Sequence, residues 1–194
     1  MSETNVSPLN ESVAIRQEIE AAAKARIAIR IFRGEIEEAS IDGFVAATGS
    51  NFFAVELISD AIYLDGFVCL RFKDVSSVVF PAPNWPFKKA ALSLRDQQPK
   101  DDLTIDCETL SGLLRSVPET FGLVSVHTEI VDPDVCYVGK IANVDEDKLT
   151  LSSVSPDAKW HDQRMEFRLS EVTRVDFGGS YEDALFQVLK SNQA

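Results

Sequence analysis

Two histidines, three cysteines, one acidic run, one paired glycine and two tryptophans are the residues of this 194-residue sequence that invite a chemical reading. His127 falls on the polar side of an alternating stretch beside Glu129, and His161 lies between Trp160 and Asp162. Joined by Asp132 or Asp134 they would form a metal-ligand set, but no HxH, HExxH or Cys/His spacing backs that, and both are expected at the surface. Cys69, Cys107 and Cys136 are odd in number and form no CxxC, which speaks against a disulfide framework or a zinc site. Cys69 and Cys136 stand in apolar strand contexts and read as small core residues, not nucleophiles. No serine sits in GxSxG. Asp145-Glu146-Asp147 would attract Ca²⁺, yet it lacks the alternating ligands of an EF-hand loop and reads as a solvated hairpin turn. Gly178-Gly179-Ser180 precedes a helix and would cradle a phosphate, except that Glu182 and Asp183 in the first turn repel an anion. Ser180 is instead expected as the N-cap, with Asp183 at N3 in the manner of a capping box. Trp85, between Pro83 and Pro86, and Trp160 offer exposed anchors for a protein partner; a tryptophan covering one end of a small barrel is the alternative. No acid/base or nucleophile constellation is found, so no enzyme, cofactor or metal is expected.

The charge balance narrows the partners. The formal net charge is −12, with −3 on residues 1–98 and −9 on residues 99–194. Binding to a phosphate backbone gains affinity as Lys and Arg release counterions, so this balance argues against nucleic acid and against an anionic membrane. No apolar run approaches the roughly 20 residues that span a bilayer. The start, MSETNVSPLNESV, lacks the basic and apolar regions of a signal peptide, and a cytoplasmic location is expected.

The elements that must position these residues follow from periodicity. Residues 1–9 are polar and expected to fray. Ile15, Ile19, Ala22, Ala23 and Ile27 keep helical spacing, with Asn10 or Ser12 as the cap. Ala28 to Phe32 alternates against an arginine-rich side (Arg26, Arg30, Arg33) and reads as a strand, followed by a turn through Gly34. Strands are predicted at Gly43–Thr48, Phe52–Ile58, Gly66–Phe72 and Val75–Phe80, with Gly49-Ser50-Asn51 as a hairpin link. Pro81, Pro83 and Pro86 end the sheet because proline cannot donate to a ladder. A short helix spans Phe87–Leu94, and the polar Arg95–Asp102 is the expected domain linker. The plan then repeats: a helix over Leu110–Val117, strands at Val124–Ile130, Tyr137–Val144, Lys148–Val154, Arg164–Leu169 and Val172–Phe177, and a helix over Tyr181–Lys190.

That second half is a degenerate copy of the first. A shift of 96 residues lays Gly43 on Gly139, Val45 on Ile141, Phe53 on Leu149, Val55 on Leu151 and Ile58 on Val154. One residue more, a shift of 97, lays Leu70 on Phe167, Arg71 on Arg168, Asp74 on Glu171 and Phe80 on Phe177. Apolar positions keep the same phase, which decides the buried face of each strand. The expected fold class is mainly β with flanking helices (α+β): two tandem five-stranded barrels related by an internal repeat, residues 1–98 and 99–194. Closing each sheet removes the edges that invite aggregation. Unrelated paths for the segments from 43 and from 139, or a single undivided sheet, would take away the foundation of an interaction-module reading of this chain.

A helix followed by five bent strands resembles the Sm-like barrel. Gly139, Ile141 and Asp145 match the first Sm motif, whereas Lys148-Leu149 stand where that family carries a hydrophobic residue and its base-contacting asparagine. The Arg-Gly of the second Sm motif is missing from EVTRVDF (171–177). In the first half Gly43 matches and Gly49 takes the aspartate position. DGFVCLRFKDVSSV (65–78) is also similar to uncharacterised bacterial proteins containing Sm-like barrels. The resemblance implies a fold; RNA binding, the family's best-known role, loses its base-reading residues and meets the wrong charge.

The expected function is therefore a non-catalytic protein-interaction or structural module, including a regulatory or immunity-type protein that masks a basic target. The partner surface expected is Trp85 and Trp160 with Asp145, Glu146 and Asp147. The alternatives are an RNA-binding Sm-like protein and a small-ligand site at the junction of the barrels. Oligomeric state stays open: edge strands support rings, and a covalent tandem satisfies those edges within one chain.

Overall fold

Strand formation follows the runs of β-branched and aromatic residues, and the computed structural model describes residues 8–100 and 103–192. Helix α1 (Pro8–Ala25) precedes β1 (Ile29–Arg33), β2 (Glu37–Thr48), β3 (Phe52–Ile58), β4 (Leu64–Arg71), β5 (Ser77–Val79) and α2 (Trp85–Leu94). The second half runs α3 (Leu110–Ser116), β6 (Val124–His127), β7 (Cys136–Val144), β8 (Lys148–Ser153), β9 (Met165–Arg168), β10 (Arg174–Phe177) and α4 (Ser180–Ser191). The end of the expected linker, at 101–102, and most of the expected frayed start, at 1–7, lie outside the described residues.

All ten strands join one antiparallel sheet in the order β5-β1-β2-β3-β4-β10-β6-β7-β8-β9. Each half contributes its fifth, first, second, third and fourth strands in that order. The sheet is not closed, so the expectation of two self-closed barrels is corrected: β4 pairs with β10, Leu70 opposite Arg174 and Phe67 opposite Phe177. The physical reason lies in the residues of β4. Phe67-Val68-Cys69-Leu70 are apolar on both faces and all buried, the mark of an interior strand, and an interior strand needs partners on both sides. The condition set against the interaction-module reading, a single sheet, is thus met.

Within that sheet the halves trace the same local path. Gly43 opposes Leu57 and Gly139 opposes Ser153; Thr48 opposes Phe53 and Val144 opposes Leu149. A register shift falls between Val45 and Ala47 in the first and between Ile141 and Asn143 in the second. Such a bulge bends a long strand sharply. One-turn 3₁₀ helices, Phe72–Asp74 and Leu169–Glu171, link fourth to fifth strands in both halves. Even the left-handed residues Ile62 (φ 58°) and Ala158 (φ 57°) correspond, each donating its N–H to a serine carbonyl three residues back. Gly43 and Gly139 are glycine for one reason: a Cβ would overlap the carbonyl oxygen of Glu56 or of Ser152 on the neighbouring strand.

The cores explain why the division is not clean. α1 covers Ile29, Ile31, Phe53, Val55 and Leu70 on one face of the first half. α2 covers Phe44 and Ile58, and α4 covers Val138 and Val154 at the matching place. The largest cluster crosses the junction, joining Ala54, Phe67 and Cys69 to Leu113, Val124, Val175 and Phe177, with Phe67 and Phe177 stacked at 5.4 Å between centroids. The expected linker is pinned as well. Gln97 accepts from the Leu64 amide (3.0 Å), the Lys100 amide donates to Glu56 (2.8 Å), and Lys100 Nζ lies over Phe67 and Phe121. No helix among the described residues is long and apolar enough to cross a membrane.

Candidate functional site

The expected partner residues are dispersed. Trp85 opens α2 and is half-buried, its ring edge-on to Phe44 at 5.5 Å in the cluster under that helix. It plays the covering role that was the alternative reading. Trp160 sits in the β8–β9 connection, bridged to Val154, and is 36 % exposed. Asp145, Glu146 and Asp147 form the exposed β7–β8 turn, closed by the Asp145 amide donating to the Lys148 carbonyl at 2.8 Å. The three groups belong to different elements, and among the described residues no hydrogen bond, ion pair or ring contact joins them.

Several further expectations are corrected. His127 is no surface residue: its side chain is 17 % exposed, with Nε2 3.2 Å from Asp176 Oδ2. The alternation of β6 made its polar face look solvated, but β10 lies against it. Cys136 is exposed at the start of β7, not in the core. Cys69 and Cys107 are buried, and burial pushes the Cys69 thiol well up and the Cys107 thiol to about 11, so neither offers a thiolate at neutral pH. Ser180 is not the cap of α4. Gly179 holds that position, and Asp65, reaching across from the first half, accepts from the Ser180 amide at 2.7 Å. Glu182 turns inward to accept from the Ser125 hydroxyl, while Asp183 accepts from Gln187, so the box cannot form. With a carboxylate already on that helix end, no phosphate cradle remains.

Two arrangements involve residues that the sequence did not single out, although a ligand site at the junction was among the alternatives. The first is a buried ionic network spanning the junction. Arg33, fully buried at the end of β1, donates end-on to both oxygens of Glu129 (2.9 and 2.6 Å) and through Nε to Glu37 (2.8 Å). Glu129 also accepts from Thr173 (2.7 Å). Arg174 clasps Asp176 (2.7 to 3.0 Å) and reaches Glu37 at 3.6 Å. Burial alone pushes the Glu129 and Asp176 carboxyls up. Hydrogen bonds from Arg33 and Thr173, and the neighbouring His127 and Arg174, more than reverse this and hold both below the ordinary carboxylate value. Every charge here is spent on another, which suits a structural clamp.

The second is a cleft of about 540 Å³ where the halves meet. Its walls are the first turns of α1, the β2–β3 turn, the β4–β5 turn and Leu169-Ser170 from the second half. Phe52, Phe72, Val13 and Leu169 supply apolar surface; Arg16, Arg71 and Lys73 supply charge. Arg16 donates to the carbonyls of Gly49 (2.9 Å) and Ser50 (2.6 Å), with its guanidinium 3.8 Å from the Phe72 ring centroid. Arg71 is bonded to Asp74 through Nε and to the Val172 carbonyl through Nη1 (3.2 Å), while its sealed Nη2 has no acceptor.

Comparison with family models, with curated proteins and with solved structures returned no match.

The cleft had one sequence signal. Arg71 ends the apolar run Phe67–Leu70 and is followed by a second aromatic and a lysine, an unusual composition for a strand-ending turn in an acidic chain. Among the described residues no group of His, Cys, Asp or Glu is arranged to hold a metal ion.

Proposed function

We propose that this chain is a non-catalytic binding module made of two Sm-like units fused through one sheet, and that it works by receiving a ligand in the cleft where the units meet. The strand order of each half, the helix that precedes it and the bulged second strand support the Sm-like reading. One observation carries the function: in a chain of net charge −12, the described lining of one apolar-walled cleft holds Arg16, Arg71 and Lys73 and no carboxylate. A volume of about 540 Å³ is in the range of small-molecule sites, and such sites pair apolar walls with a few placed polar groups. No catalytic step is part of the proposal, since His127 is engaged with Asp176 and the buried thiols are protonated.

A fragment screen observed through backbone amide shifts of the protein tests this. Hits should concentrate on Asn51, Phe72, Lys73 and Leu169. Hits scattered over the surface, with none in the cleft, would reject the reading.

A second reading is docking of a basic protein on the acidic face, favoured by the full exposure of Asp145, Glu146 and Asp147. It expects affinity that falls steeply with salt and is lost on D145N/E146Q/D147N.

A further inference from the structure

We infer that the ligand of the junction cleft is a small monocarboxylic acid with an apolar body, its carboxylate received by the Arg71 and Lys73 side of the cleft. This rests on the cleft being a ligand site and goes on to name the ligand's chemistry.

The argument begins with charge. No carboxylate is among the described residues that line the cleft, although Asp and Glu outnumber Lys and Arg by 31 to 19 in the sequence. The two halves show how particular this is. At the positions equivalent to Gly49-Ser50-Asn51 the second half carries Asp145-Glu146-Asp147, and at the position of Lys73 it carries Ser170. The equivalent turns thus differ in charge, neutral against acidic at the first and cationic against neutral at the second, and the turns that can admit an anion belong to the first half.

The count of charges then selects a monoanion. Arg71 is paired with Asp74, and Arg16 faces Glu20 at 3.9 Å, so both are largely compensated. Lys73 is exposed and has no ion pair among the described residues. One net positive charge matches a carboxylate better than a phosphate dianion, whose second charge would face Asp74. Directional chemistry agrees. Nη2 of the 95 %-buried Arg71 is a donor without an acceptor, and buried donors are ordinarily satisfied. That nitrogen is sealed from the cleft, so the direct contact falls to the exposed Lys73 ammonium, whose charge-assisted bond to a carboxylate is the stronger kind. Phe52, Phe72, Val13 and Leu169 would take the apolar body.

The probes are 4-phenylbutyrate, its primary amide, phenyl phosphate and a hexauridine, each titrated into the intact protein and followed by amide shifts. The expectation is that 4-phenylbutyrate moves the amides of Phe72, Lys73 and Leu169 and binds at least about tenfold more tightly than the amide, the scale of a charge-assisted hydrogen bond. Lys73→Ala should weaken it about two- to fivefold, as for one partly exposed charge. Val13→Glu, at a half-exposed position on the rim, should weaken the acid more than the amide. If the amide, phenyl phosphate or hexauridine binds the cleft as well as the acid, the carboxylate assignment is overturned while the ligand site stands. If no probe and no fragment from the screen moves the cleft amides, both fail.

Discussion

Replacing Arg33 by methionine should unfasten the two halves, and the size of the effect can be worked from the contacts. Arg33 is fully buried and donates to Glu37 and, end-on, to Glu129. Methionine fills a similar slot but donates nothing. Glu37 would retain Arg174 at 3.6 Å, whereas Glu129 would keep only Thr173 and stay buried as an uncompensated carboxylate. Removing one member of a buried pair typically costs about 3–5 kcal/mol. For a chain of this size that is a fall in Tm of roughly 6–20 °C. The measurement is urea unfolding of wild type, R33M, E129Q and R33M/E129Q. Because neutral glutamine removes the stranded charge, the double variant should be more stable than the sum of the single losses implies, by about 1–3 kcal/mol. The pH profile adds a sign. In R33M the Glu129 carboxyl loses the group that holds its pKa down while burial still pushes it up, so the folded state no longer resists its protonation and acidification should cost R33M less stability than wild type. A loss under about 1 kcal/mol in R33M, or strict additivity with E129Q, would refute the view that this clamp holds the junction.

Three further outcomes follow from the same geometry. Asp42, Glu129 and Asp176 all lie below their ordinary values of 3.8, 4.5 and 3.8, so the stability they contribute is present above those values and is lost as pH falls through their folded pKa; thermal melts should show Tm dropping below about pH 4.5. Gly43→Ala and Gly139→Ala force a Cβ against a backbone carbonyl at equivalent places, so each should destabilise by about 1–3 kcal/mol in urea titrations, and a large effect at one with none at the other would deny the equivalence. Asp65→Ala removes the cap that the first half lends to α4, costing about 1 kcal/mol and speeding amide exchange at Ser180 without changing exchange in α2.

The elements themselves were legible in the sequence, because period-2 and period-3.6 patterns are local. The predicted starts of β3, β6, β8, β9 and α3 fall within a residue of those observed, and the shifts of 96 and 97 hold through the matching registers. What was not legible depends on which strand lies beside which. Strict alternation puts Arg33 on the side of the buried Ile29 and Ile31, not on the arginine-rich side expected for it, but cannot show that Glu129, nearly a hundred residues away, will cover it. The same blindness made His127 look exposed and gave Ser180 a cap that Asp65 provides. One clue was available: four consecutive apolar residues in β4 signal a strand covered on both faces, which argues against an edge or a self-closed barrel. The residues of the cleft escaped because its charges come from α1 and from the end of β4 with the turn after it, which the β4–β10 pairing brings near Leu169 and Ser170. The single sheet meets the condition set against the interaction-module reading, while the shared registers keep the segments from 43 and from 139 on matching paths.

The pairing of β4 with β10 also sets an order of events during synthesis. Residues 64–71 leave the ribosome about a hundred residues before 174–177, so Phe67-Val68-Cys69-Leu70 must wait with one flank of backbone donors and acceptors unclaimed. For that interval the nascent first half carries an apolar, sticky rim. A chain halted before residue 174 would keep it permanently, and stop codons in the second half ahead of that point should therefore yield insoluble material, not a stable half-protein.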